Sequence, residues 1–171
     1  MINPNTVRDL LIPELETELA KTRKVLGNVP DSDVTFKPHE KSMSLSHLAA
    51  HVADLPVFIT KILTTPTYDF GVDNRKPFHL ETTQAALAQF EENADHALTA
   101  LKHASDETLH QNWTLSYKGH GIYSGSRYKA YRDMGLNHLI HHRAQLGVYL
   151  RLLNAHVPGT FGPSADEPWQ G

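Results

Sequence analysis

His138 and His142 stand four residues apart in the run Asn137-His138-Leu139-Ile140-His141-His142. On a helix this spacing stacks two imidazoles one above the other, where both can reach one divalent ion at about 2.0–2.1 Å. The neighbouring residues favour a helix. Tyr131, Met134, His138, His142, Gln145, Tyr149 and Leu152 step by three or four and so share one face. The flanking members are apolar or aromatic, which turns that face inward. Its middle then carries two imidazoles and an amide, and a buried polar group without a partner costs roughly 1–3 kcal/mol. A metal ion would satisfy them together. The spacing is not the His-Glu-x-x-His of zinc proteases, because Leu139 stands where the general-base glutamate would be. A third ligand must come from another helix. His47 and His51 are the candidates; His51 borders the stripe of Leu48, Val52 and Leu55, whereas His47 is only about one turn from the helix start. Three neutral imidazoles with an open position suit Zn²⁺, Ni²⁺ or Fe²⁺. The competing reading is a structural cluster in which Gln145 or a backbone carbonyl satisfies His142. The chain has 12 histidines, so an i,i+4 pair arises readily by chance.

Four helical segments are available to position these residues. The first covers about residues 5–26, with Leu11, Leu15, Leu19, Thr22 and Leu26 at helical spacing. Pro13 lies inside it, so the regular part starts near Ile12 or the helix kinks there. Gly27 and Pro30 end it. Ser44 is the N-cap of a second helix whose stripe is Leu48, Val52, Leu55, Ile59 and Ile62, with Pro56 bending it. Residues 64–80 hold two prolines and a glycine and read as a long connection. The third helix spans about residues 81–103, with Leu87, Phe90, Ala94, Leu98 and Leu101 as its core face. In residues 111–126, Trp113, Leu115 and Tyr117 alternate with polar residues before Lys118-Gly119-His120-Gly121, as in a short β-hairpin or an ordered loop. The fourth helix, about residues 127–154, is the longest, and the tail after Pro158 packs over an edge. The expected architecture is one all-α domain over residues 1–171, an antiparallel four-helix bundle.

Bulk composition narrows the function. The length of 171 residues suffices for one core without staples. The net charge of -3 shows no basic stripe, which speaks against nucleic acid and anionic membranes. Without any cysteine there is no disulfide framework, thiolate zinc site or cysteine nucleophile. No segment approaches the roughly 20 apolar residues of a membrane span, and the N-terminus has no signal-peptide pattern. A cytoplasmic location is the expectation.

Two stretches resemble a known family. Residues 137–151, Asn-His-Leu-Ile-His-His-Arg-Ala-Gln-Leu-Gly-Val-Tyr-Leu-Arg, look like the last helix of the DinB-like (YfiT-like) proteins. Residues 37–56, which contain Leu48-Ala49-Ala50-His51, resemble their second helix, and residues 161–167 resemble their ending. The resemblance implies an antiparallel four-helix bundle and a three-histidine metal site on His51, His138 and His142, with His141 and Arg143 as neighbours. It implies a metal-dependent thiol (S-)transferase acting in stress response or detoxification, with a small-molecule thiol and an electrophile as partners, and a homodimer. The physical rationale is that a metal with an open position lowers the pKa of a thiol. The same site could activate water in a hydrolase, with Asp54 or Glu167 as the candidate general base, or the ion could be purely structural. One departure is Ala144, where sequences of this type carry glycine.

Around the site, Trp113, Tyr117, Tyr123 and Tyr131 could line a pocket or belong to the core. Arg143 could meet a thiol's carboxylate or form a salt bridge. His39, His79, His96, His103, His110, His120 and His156 read as solvent-facing, with His120 in a turn that could approach the site.

Overall fold

The computed structural model describes residues 6–73 and 78–169. Helix α1 (Val7–Leu26) starts where Thr6 accepts a hydrogen bond from the Asp9 backbone at 3.2 Å. It runs unbroken through Pro13. Its stripe of Leu11, Leu15, Leu19, Thr22 and Leu26 is buried as its spacing requires.

The second expected helix arrives in two pieces. Ser44 caps α2 (Leu45–Asp54) through the His47 backbone, and α3 (Pro56–Thr64) begins at Pro56. Proline lacks an N–H, so it fits the first turn of a helix better than an interior. Leu48, Val52, Leu55, Ile59 and Ile62 still form one buried stripe across the break. The last carbonyls of α3 are not left open: Arg127 donates from Nη1 to the carbonyls of Ile62 and Thr65.

Helix α4 (Thr83–His103), capped by Thr82, packs against α1, α2 and α3. Its buried face is Ala86, Phe90, Asn93, Ala94, Ala97 and Leu101, so Leu87 and Leu98 sit at its border. A short α5 (Asp106–His110) follows.

The expected hairpin is part of a three-stranded mixed sheet. Strands β2 (Asn112–Tyr117) and β3 (His120–Ser126) pair antiparallel around Lys118 and Gly119, both with positive φ (48° and 79°). Two such residues in a two-residue connection match the right-handed twist of the strands. Strand β1 (Thr67–Asp69), in the stretch expected to be a long connection, pairs parallel to β2 with Thr67 opposite Thr114. The Asp69 carboxylate fixes this pairing: it accepts from the backbone N–H groups of Gly71, Lys118 and Gly119 at 2.7–2.9 Å.

The expected fourth helix is also interrupted. A short α6 (Arg127–Ala130) passes into a π-helical turn (Tyr131–Leu136) and then into α7 (Asn137–Leu152). A π turn holds an extra residue, so the face drawn from Tyr131 with a period of 3.6 slips by the time it reaches α7. The buried residues of α7 are Leu139, His142, Arg143, Leu146, Tyr149 and Leu150. Of the predicted face, Tyr131, His142 and Tyr149 are buried and His138 is half-buried, but Gln145 and Leu152 are exposed. The histidines therefore lie at the rim of the core instead of its centre.

Candidate metal centre

His51 sits in the last turn of α2, one turn before the break at Pro56. His138 and His142 occupy the first two turns of α7, directly after the π turn. Packing of α2 on α7 brings the three rings together. His138 Nε2 lies 3.0 Å from His142 Nε2 and 3.5 Å from His51 Nε2, and one nitrogen from each ring falls within 4.8 Å of the others. Two nitrogens at 2.0–2.1 Å from a tetrahedral ion stand about 3.3 Å apart. The two short separations bracket that value, and the three-histidine group could hold a divalent ion.

The electrostatics favour neutral, ligating rings. Burial and the neighbouring imidazoles of His142 and His138 push the His51 pKa down from its ordinary 6.5 to about 4. His138 and His142 are lowered too, chiefly by burial. Two hydrogen bonds work in the opposite direction. His138 bonds the backbone of Met134, in the π turn, and His142 Nδ1 bonds Gln145 Oε1 at 2.8 Å. The Gln145 bond is the one expected of a purely structural cluster. It engages Nδ1, however, and leaves Nε2 facing the other two histidines.

A cavity of about 400 Å³ opens on His51 and His138. Leu55, Phe58, Tyr68 and Phe70 wall it, and Asp54 and Asp73 are its carboxylates. The Phe58 ring is 6.3 Å from His138 and packs edge-on against Tyr68 at 5.7 Å. Asp54 accepts from the Phe78 backbone at 3.2 Å and from Asn93 Nδ2 at 3.4 Å. The aromatic wall thus comes from α3 and the β1 region, not from Trp113, Tyr117, Tyr123 or Tyr131. Trp113 and Tyr131 are fully buried core, and Tyr117 is exposed. Sequence reasoning missed Tyr68 and Phe70 because prolines on either side made the stretch read as a loop; the alternation Thr67-Tyr68-Asp69-Phe70 was the available signal.

Among the described residues, none of the other candidates joins the three-histidine group. His47 is exposed, and so are His39, His79, His96, His103, His110, His120 and His156. Glu167 is engaged in the tail by His156 Nε2 and the Gly159 N–H, at 3.1 and 2.9 Å. Arg143 points away from the cavity into a buried ion pair with Glu18, Nη2 to Oε2 at 2.6 Å. Ala144, the departure from the resembling pattern, is exposed on α7. No helix among the described residues is long and apolar enough to cross a membrane.

Among the solved structures that resemble this chain over most of its length are two DinB-like proteins. A DinB-like protein of Bacillus cereus ATCC 10987 matches with a TM-score of 0.69 at 18% identity, over 91% of this chain and 98% of its own. A DinB-like protein of Bacillus subtilis, YjoA, matches with a TM-score of 0.70 at 13% identity, over 94% and 99%. At these identities the likeness speaks for the fold alone. No curated protein is significantly similar in sequence. The DinB family model matches residues 1–170, and the chain belongs to the DinB family.

Proposed function

We propose that this protein is a metal-dependent thiol (S-)transferase whose ion is held by His51, His138 and His142. One observation carries the reading: two of the three convergent imidazoles form a wall of the aromatic cavity. A purely structural ion has no need of an adjoining cavity of about 400 Å³. An ion held there, Zn²⁺ or Ni²⁺ first and Fe²⁺ next, would lower the pKa of a small-molecule thiol near it.

The chain's own residues supply the rest. Phe58, Tyr68 and Phe70 hold the electrophile and keep water from it, so the reacting atoms are brought together before the reaction. In the transfer the sulfur forms a bond to the electrophilic carbon, the leaving group departs with the bonding pair, and the thiol proton goes to solvent. The working assembly is a cytoplasmic homodimer of single-domain chains. In each, α2 with α3 and α6 with α7 count as two bent members of an antiparallel four-helix bundle.

Asp54 favours a second reading, a metal-dependent hydrolase. It lines the same cavity, where a carboxylate could take a proton from water.

The test is metal analysis of untagged protein beside His142→Ala, followed by turnover assays with candidate thiols and a chromogenic electrophile. About one equivalent of Ni or Zn, lost in the variant, with turnover that needs both metal and thiol, is the expected result. Turnover that needs metal but no thiol points to the hydrolase. A protein that stays metal-free after incubation with both ions overturns both readings. If it binds metal, shows no turnover and unfolds on chelation, the ion is structural.

A further inference from the structure

Gln145 touches two histidines at once. Its Oε1 is 2.8 Å from His142 Nδ1, and its Nε2 is 3.1 Å from His141 Nε2. An amide has an acceptor end and a donor end, and neutral imidazole has one nitrogen of each kind. With Oε1 on His142 Nδ1, that nitrogen must carry the proton. His142 Nε2 is then the lone-pair nitrogen, and it is the one 3.0 Å from His138. Turning the amide over would place NH₂ against Nδ1 and force the proton onto Nε2, among the other two imidazoles.

In this arrangement His141 Nε2, 3.1 Å away, faces the donor end of Gln145 and accepts from it, which leaves the His141 proton on Nδ1. His141 is exposed on α7 and is not one of the three histidines whose ring nitrogens converge. Its ring stands 4.8 Å from that of His142, so the two imidazoles and the amide form one connected group along α7.

We propose that Gln145 is a positioning residue: its amide oxygen holds His142 in the tautomer whose Nε2 is free to ligate. The metal part of this inference rests on the proposed three-histidine site; the tautomer part does not. Partners that fix the tautomer of a metal-ligating histidine typically contribute 10–100-fold to metal affinity.

Two measurements test it. The first is the ¹⁵N spectrum of the histidine rings in metal-free protein at pH 8, which reports tautomers without any ion. The native protein is expected to show His142 with its proton on Nδ1. In Gln145→Leu the signal should move toward a mixture, and in Gln145→Glu it should not, because a carboxylate also accepts from Nδ1–H. The second is competition titration with Zn²⁺, in which Gln145→Leu should weaken binding about tenfold and Gln145→Glu should restore it. An unchanged His142 tautomer in Gln145→Leu overturns the inference whether or not metal binds. A changed tautomer with no zinc binding in any form, native included, supports the positioning role and removes the metal site instead.

Discussion

A histidine ligates metal only when neutral, and at His51 the surroundings enforce that state. Its pKa is near 4 in the folded chain, against 6.5 in the unfolded one, because the ring is partly desolvated and would be repelled, once charged, by His142, His138 and His47, with Asp54 opposing. Between those values the unfolded chain binds more protons, so stability rises with pH across this window and is lost on acidification through it. His138 and His142 shift in the same direction and add to the effect. We therefore expect the metal-free protein to lose stability as the pH falls from about 6.5 to 4. The His51 share should be on the order of 1–2 kcal/mol once solvent screening of this half-exposed ring is allowed for. Urea midpoints measured through this range should slope upward with pH, and the slope should flatten in His51→Ala. Asp31, Asp69, Asp166 and Glu167 are all lowered from ordinary values of 3.8 and 4.5, so their contributions are lost mainly below this window and overlap only its acid end. A His51→Ala slope equal to the native slope would show that the ring is not held neutral by the fold.

At the scale of elements, the π turn before α7 sets the angle at which His138 and His142 meet α2. The turn fits because Gly135 lies against α3: a Cβ there would stand 2.7 Å from Ile59 Cγ1. Gly135→Ala should destabilise the protein by about 1–3 kcal/mol through overpacking. Ile59→Ala removes the clashing carbon, so the double variant should lose less than the sum of the singles, as a double-mutant cycle by denaturant melts would show. If the turn yields instead by closing to α-helix, the histidines rotate away from His51 and bound zinc falls with stability. Additive losses with zinc binding intact would mean that the contact does not govern the turn. This element also marks how far the sequence could be read. The i,i+4 histidine pair and the stripe carrying His51 were legible because α2 and α7 are regular where those residues sit. The face of α7 was misplaced because Tyr131-Arg132-Asp133-Met134-Gly135-Leu136 has no proline to announce an irregularity, and the close approach of Gly135 to Ile59 is a contact between residues far apart in the chain. Strand β1 was hidden for a similar reason: three residues pair with β2 because Asp69 collects the turn's N–H groups, a contact across about fifty positions of chain.

Across the whole molecule, α7 is tied to α1 by Glu18 and Arg143, which are 4% and 2% exposed. Arg143 Nη1 also donates to the Glu18 carbonyl and the Thr22 hydroxyl at 3.1 and 3.3 Å. Lys21 shares the other Glu18 oxygen at 2.8 Å. The tail closes over this group: the Phe161 ring lies 3.6 Å from Lys21 Nζ and 5.5 Å from the Arg143 guanidinium, and Asp166 binds Arg151 at 2.8 Å. Arg143 follows His142 directly, so the ion pair anchors the helix on the side away from the cavity. Removing one partner strands a buried charge, and Glu18→Ala should cost about 3–5 kcal/mol. Replacing both, as in Glu18→Leu with Arg143→Met, removes that penalty and should recover most of the loss. Phe161 is largely exposed, and Phe161→Ala should cost no more than about 1 kcal/mol. The folded double variant also decides what Arg143 is for. With the anchor replaced by apolar packing, zinc stoichiometry and the KM for any accepted thiol should match the native protein. A KM raised severalfold at equal stability would place Arg143 in thiol recognition and contradict the purely structural role that its ion pair with Glu18 assigns to it.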